Sequence, residues 1–428
     1  MISLLSTMAA REFRKYIAAS TLTAVGSGMY FVAISWYIYK TSGSAMAVGW
    51  VLIASSLPGL LFSPWIGVLV DRWNVRYICI ASDFARATIL IFVAVSMYHS
   101  VLGIELIYLA TFLIALCENF FQPAVGALIR DIVPKNRILE ANIFNSMSMQ
   151  IGLLIGASIG GFLVATLGTQ FVVIINVISF SISGLLTLWI KHTPAINLTI
   201  SRLDRPGAIK EFFDSIHYAI GTRFVVGLAI QQMLIYVTLS VCNTLLPIFV
   251  DKELSAGAQG FGVIDAVWGL GAICGGLSLT YVLKKINAQW FGIVGLAIIS
   301  FLLFVFLTAN SIPQAAIAYF LLGGVAVMIR VNSDAIIAID VEPSNFGKVK
   351  AAISMFISYA SLAVYAGVGY LGDIISVRWI YLALSLLILL SALGLLWKKY
   401  QKTNKFYVSS PSAPLALEAH SSSSPTQV

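Results

Sequence analysis

The chain has 428 residues, of which 59% are hydrophobic and only 10% are charged, with a net charge of +8. Soluble domains carry about 25% charged residues, and a soluble surface of this composition would expose apolar patches large enough to aggregate. The composition excludes an ordinary cytosolic enzyme, a nucleic-acid binder and a secreted disulfide scaffold, and it predicts an all-α integral membrane bundle.

A helix needs about 20 mostly apolar residues to cross a bilayer. Twelve such stretches are predicted, near 16–39, 45–70, 77–98, 104–129, 141–165, 170–190, 223–250, 259–283, 291–309, 314–338, 349–371 and 378–397. None alternates polar and apolar residues as barrel strands do. Arg11, Glu12, Arg14 and Lys15 precede a first run too long for a cleavable signal, so the first span is expected to act as its own insertion signal. With both termini in the cytoplasm, only Lys40, Lys252 and Arg378 fall in external turns. Nearly all other lysines and arginines fall in cytoplasmic segments, as the positive-inside rule requires. That bias accounts for most of the basic charge without an anionic partner.

The widest break, 191–222, separates six spans from six. The expected organisation is therefore an N-terminal six-helix bundle over 1–190, a linker over 191–222 and a C-terminal six-helix bundle over 223–400. A Ser-, Pro- and Ala-rich tail over 401–428 is expected to be disordered. Arg130-Asp131-Ile132-Val133-Pro134 before span five is echoed by Ile339-Asp340-Val341-Glu342-Pro343 before span eleven. This is a faint mark of a duplicated transporter. The four cysteines, Cys79, Cys117, Cys242 and Cys274, lie in apolar segments without paired or metal-ligand spacing. They are expected to be buried free thiols.

The turn after span two reads Gly67-Val68-Leu69-Val70-Asp71-Arg72-Trp73-Asn74-Val75-Arg76. Gly67 is expected to admit a neighbouring helix. Asp71, Arg72 and Arg76 are expected to form an inner gate, with Asp83 and Arg86 behind them on one face of span three. This G-x-x-x-D-R-x-x-x-R pattern resembles the signature of the major facilitator superfamily, with Asn74 where glycine is usual. The resemblance covers about residues 11–400. It implies two pseudo-symmetric six-helix bundles around a central cavity, alternating access and a monomer.

Gly152, Gly156, Gly160 and Gly161 in span five put small residues on one helix face, which suits tight packing. They also resemble the antiporter signature of drug-exporting facilitators, with Ala157 in place of its proline. In that reading the glycines let the halves pack and slide. Glu118-Asn119-Phe120-Phe121-Gln122-Pro123-Ala124, Ile132-Val133-Pro134, Glu140-Ala141-Asn142 and Asp83-Phe84-Ala85-Arg86-Ala87 resemble the branch that holds the enterobactin exporter and macrolide efflux permeases. That branch implies a bacterial inner membrane.

An ionisable side chain inside a span costs several kcal/mol unless it is paired or hydrated. Six are candidates for function: Asp83, Arg86, Glu118, Asp265, Arg330 and Asp334. Asp83 with Arg86, and Arg330 with Asp334, share helix faces and can pair locally. Glu118 has no basic residue within one turn and is expected to be unpaired, a site of proton or substrate coupling or else a protonated acid hydrogen-bonded to a neighbouring helix. Asp265 is a second candidate, and pairing of Arg330 with either acid across the bundle is the alternative to its local pair. Polar side chains such as Tyr30, Asn119, Gln122, Asn145, Gln232 and Tyr359 are candidates to line a cavity, or to join helices. No phosphate-binding loop, metal cluster or nucleophile elbow is present in the sequence.

The expected function is a proton-gradient-driven exporter of a small amphipathic molecule, a drug or siderophore, with no cofactor. The alternative is an importer with the same fold, favoured by Ala157. A bundle that has lost transport has little reason to keep such costly charges.

Overall fold

The computed structural model describes residues 11–99, 101–191, 223–341 and 343–408. Among them are twelve helices long and apolar enough to cross a membrane, and no strand. They are α1 (Arg11–Ser42), α2 (Ala45–Arg72), α3 (Val75–Tyr98), α4 (Ile104–Ile132), α5 (Ile138–Leu167) and α6 (Thr169–Leu188), then α7 (Arg223–Lys252), α8 (Gly257–Leu283), α9 (Ala288–Leu307), α10 (Ile312–Asp340), α11 (Pro343–Ile374) and α12 (Val377–Val408). A helix satisfies its backbone groups within one segment, the condition hydrocarbon imposes.

The turns are tight. Gly43 (φ +67°) and Gly168 (φ +87°) take left-handed backbone that a side chain would strain, and they reverse the chain between α1 and α2 and between α5 and α6. The Ser44 hydroxyl caps α2 by accepting from the Ala47 amide at 3.2 Å. Pro123 lies inside α4 and Pro247 inside α7, where neighbouring helices tolerate the missing donor.

The last helix runs to Val408, past the expected boundary at 400. Gln401, Lys402 and Lys405 are good helix formers, and cations suit a helix C-terminus. The rest of the expected tail, 409–428, and the expected linker, from 192 to 222, lie outside the described residues. The thiols also differ from expectation. Cys79 and Cys242 are buried, but Cys117 is half-buried and Cys274 exposed. In a bilayer an apolar side chain is as well solvated by lipid as by protein, so burial is not enforced.

Within the first half α1 packs on α5 and α6, α3 on α6 and α4, and α2 on α4. Within the second, α8 packs on α10 and α9 on α12. The halves meet mainly where α5 crosses α8 and where α2 crosses α11. One apolar cluster joins both halves, with Trp36, Val48, Phe249, Phe261 and Tyr381 toward the end holding the Gly43 turn, and extends within the second half to Leu279 and Phe291. At the other end, which carries most of the basic residues, the core divides. One cluster around Phe13, Ile78, Phe121 and Leu128 belongs to the first half. Another around Val225, Ile337 and Ile353 belongs to the second. Among the described residues the halves thus join at the Gly43 end and part at the basic end.

Candidate functional site

A charged triad forms inside the first half. α3 presents Asp83 and Arg86 one turn apart, and α4 brings Glu118 opposite them. The Arg86 guanidinium is fully buried. It donates from Nη2 to Asp83 Oδ1 at 2.6 Å, from Nη1 to Glu118 Oε2 and from Nε to the Ser82 carbonyl at 3.3 Å. Its Cζ lies over the Phe121 ring at 4.6 Å and the Phe180 ring at 4.7 Å from their centroids. An aromatic face attracts a desolvated cation, and the planar fork satisfies two carboxylates at once.

Asp83 is also fully buried. Its second oxygen accepts from Ser183 Oγ of α6 at 2.8 Å, and that hydroxyl meets Thr23 Oγ1 of α1 at 2.8 Å. Four helices therefore converge on one arginine. The Glu118 side chain is 34% exposed, and its Oε1 accepts from Gln122 one turn on. Glu118 is thus the accessible end of an otherwise sealed network. With both acids ionised the triad carries one surplus negative charge.

This corrects the expectation that Glu118 is unpaired. Its partner stands 32 residues away in sequence, on a different helix, where no single-helix spacing reveals it. Arg330 pairs with neither Asp334 nor Glu118, and makes no hydrogen bond or ion pair with a described residue. Asp334 instead accepts from Lys350 Nζ of α11 and from Gln232 Nε2 of α7 at 2.7 Å. A helix neighbour across the bundle won over the local one because α7 and α11 converge on this face of α10. Asp265 is half-buried, without a hydrogen bond or ion pair to a described residue. It sits one turn along α8 from Gly262, at the crossing with α5.

The two glycine motifs also pack differently from expectation. A side chain at Gly67 would meet nothing within 4 Å, because the halves are apart at that end. Arg76 turns away from any gate between the halves and caps α6, donating to the Thr187 carbonyl at 3.4 Å and to the Leu188 carbonyl. Arg72 is exposed; the Asp71 side chain lies outside the described ones. Gly152, Gly156 and Gly160 lie against the backbone of α1 at Thr21, Val25 and Met29. They pack one bundle rather than let two slide. Gly161 alone of the four meets the other half, where an added carbon would lie 2.7 Å from Gly262 Cα.

Several candidate cavity residues are helix-joining groups. Tyr30 bonds Thr111 at 3.0 Å, and Asn145 accepts from Tyr16 at 2.5 Å and Ser20 at 3.1 Å. Asn119 donates to its own helix at Ala115. Tyr359 is exposed.

A second polar set, not anticipated from sequence, clasps the closed end. Lys40 Nζ donates to Asp251 at 2.8 Å, and Tyr39 OH donates to the same carboxylate at 3.1 Å. Asp373, at the end of α11, accepts from Ser44 Oγ at 2.6 Å, from the Ala45 amide and from the Met46 amide at 3.3 Å. A carboxylate from one half thus caps a helix N-terminus of the other. Acids at span ends on a side so poor in charge were the signal that would have found them.

Twelve spans in two helix sets, closed at one end and parted at the other around a buried ionic network, define a membrane transporter of the major facilitator type. A sequence profile of the transmembrane secretion effector family matches residues 2–418, and the chain belongs to that family. It is 22% identical to macrolide efflux protein A of Streptococcus pyogenes over 268 residues, 63% of this chain and 66% of that one. It is 24% identical to the staphyloferrin A transporter of Staphylococcus aureus over 279 residues, covering 64% and 68%. Among solved structures, the nucleoside transporter NupG superposes with a TM-score of 0.70 at 14% identity, covering 90% of this chain and 98% of that one. A bacterial homolog of the human lysosomal transporter Spinster, described as inward-facing and unoccupied, gives 0.66 at 13%, covering 90% and 97%. These likenesses establish the fold; efflux and siderophore transport are properties of the named relatives.

Proposed function

We propose that the chain is a proton-coupled exporter of a small amphipathic molecule, a drug or siderophore. It would work as a monomer in a bacterial inner membrane, with both termini cytoplasmic and the basic end facing the cytoplasm. The observation that carries the reading is the Asp83–Arg86–Glu118 triad, sealed on all sides except at Glu118. A proton arriving on Glu118 cancels the surplus charge and removes the charge-assisted bond to Arg86, while Asp83 keeps the arginine in place. Losing that bond frees α4 from α3. The energy source is the proton gradient, with no cofactor.

In this cycle the state parted at the basic end has Glu118 ionised and bonded to Arg86, ready to receive substrate from the cytoplasm. Opening of the opposite end breaks the Lys40–Asp251 and Asp373 clasp, releases substrate and lets a proton reach Glu118. Asp71 would meet the second half only when the basic end closes. Asp265 at the α5–α8 crossing, and Asp334 with Arg330 on α10, are secondary candidates for coupling. A cation with an amphipathic body suits the surplus negative charge.

The test is uptake of macrolides and siderophores into inverted vesicles with an imposed gradient, acid inside. Native protein should accumulate substrate and Glu118→Gln should not, while thermal unfolding of the two in detergent stays within a few degrees. Undiminished uptake by the glutamine variant would remove Glu118 from the coupling step. The alternative is a proton-coupled importer, favoured by Ala157 standing where the antiporter signature has proline. It predicts movement in the opposite direction under the same gradient.

A further inference from the structure

α2 and α3 are joined by a short turn but touch little beyond it. A crevice of about 660 Å³ lies between this turn, α3 and α4. Its mouth at the basic end holds Arg72, Trp73 and Tyr77, with the two aromatic side chains 58% and 61% exposed. Its walls deeper in are apolar: Ile78, Ala81, Ala85, Leu116 and Phe120. On α3 the crevice edges an exposed strip that continues through Thr88, Phe92 and Val95, so it opens toward the surrounding bilayer rather than into the space between the halves. Glu118 and Gln122 lie on a different face of α4.

The mouth carries a cation without a partner among the described residues. Arg72 makes no hydrogen bond or ion pair with a described residue, whereas Arg76 is spent on the α6 carbonyls. Trp and Tyr favour the headgroup level of a membrane, which places the guanidinium at the depth of lipid phosphates. A free anion would have no use for the apolar walls, and a neutral hydrocarbon none for the arginine. The combination selects an amphiphile with an anionic head.

We propose that this crevice binds one anionic phospholipid of the leaflet at the basic end, with its phosphate on Arg72 and the start of an acyl chain along α3 and α4. The crevice wall is also the back of the charged triad. Ser82, which lines it, offers its carbonyl to Arg86 Nε at 3.3 Å, and Cys117 precedes Glu118 in the chain. A bound lipid therefore braces α3 against α4 where the triad joins them.

The test uses the full-length protein in phosphatidylcholine vesicles containing a small fraction of phosphatidylglycerol with brominated acyl chains, which quench nearby tryptophan. The difference between native protein and Trp73→Phe isolates the Trp73 signal. One phosphate contact at the membrane surface should favour brominated phosphatidylglycerol over brominated phosphatidylcholine by about fivefold at Trp73. The preference should vanish in Arg72→Gln, survive in Arg72→Lys, and collapse in native protein as salt is raised. Equal quenching by the two lipids, or a preference that persists in Arg72→Gln and at high salt, would overturn the proposal. So would displacement by excess inorganic phosphate, which marks a free-anion site, or by a macrolide, which marks a substrate path. The readout contains no transport step, so failure of proton-coupled export would leave this result standing.

Discussion

The two halves place acids inside the membrane in opposite ways. In the first, Arg86 and Asp83 are wholly enclosed, two rings cover the guanidinium, and a third of Glu118 reaches the outside. In the second, Asp334 and Lys350 are 42% and 34% exposed, and Asp334 also holds a glutamine. The same residue types therefore carry different energies. A buried pair that loses one member leaves an uncompensated charge, whereas an open pair is relieved by water. In the proposed cycle the enclosed site is the one through which a single proton would change the packing of helices. The open site is one that water reaches without disturbing the fold.

The sharpest way to break this contrast is Arg86→Met. It strands two acids and should destabilise the protein by about 3–5 kcal/mol, read as a large fall in the thermal unfolding midpoint and in folded yield. A shift no larger than that of an exposed substitution would mean that the network is hydrated. Next comes the clasp at the closed end. Asp251→Asn removes the charge that holds Lys40 and Tyr39 and should cost the closed state about 1 kcal/mol. Spin labels at the ends of α1 and α7 should then report a larger population of long distances, and high salt should mimic the change in native protein. The smallest effect is expected for Lys350→Met, at about 0–1 kcal/mol with little change in unfolding midpoint. A loss matching that of Arg86→Met would erase the distinction between the halves.

Much of the fold was legible because the bilayer imposes length and charge rules on each segment separately. Spans predicted at 45–70 and 104–129 became helices over Ala45–Arg72 and Ile104–Ile132. The Asp83–Arg86 pair was legible too, since three residues make less than one turn. Glu118 was recognised as costly but not as paired, and Arg330 was given a partner that Lys350 took. Lys350 counts toward the topology in sequence, yet in space it turns to Asp334. Its charge counts toward an expected orientation and says nothing about which acid lies across the bundle.

Sequence alone thus settled what each segment must be: twelve apolar helices, their turns, and which side chains are expensive to keep in lipid. Those properties follow from hydropathy, spacing within one helix and the bias of basic residues. Only the tertiary structure decided which helices meet. It placed Arg86 over both Phe121 and Phe180, packed three of the four motif glycines against α1, and put the clasp of Lys40, Asp251 and Asp373 at one end while the core parted at the other. Association between helices in a membrane rests on close packing and on polar contacts between distant residues, and neither leaves a periodic trace along the chain.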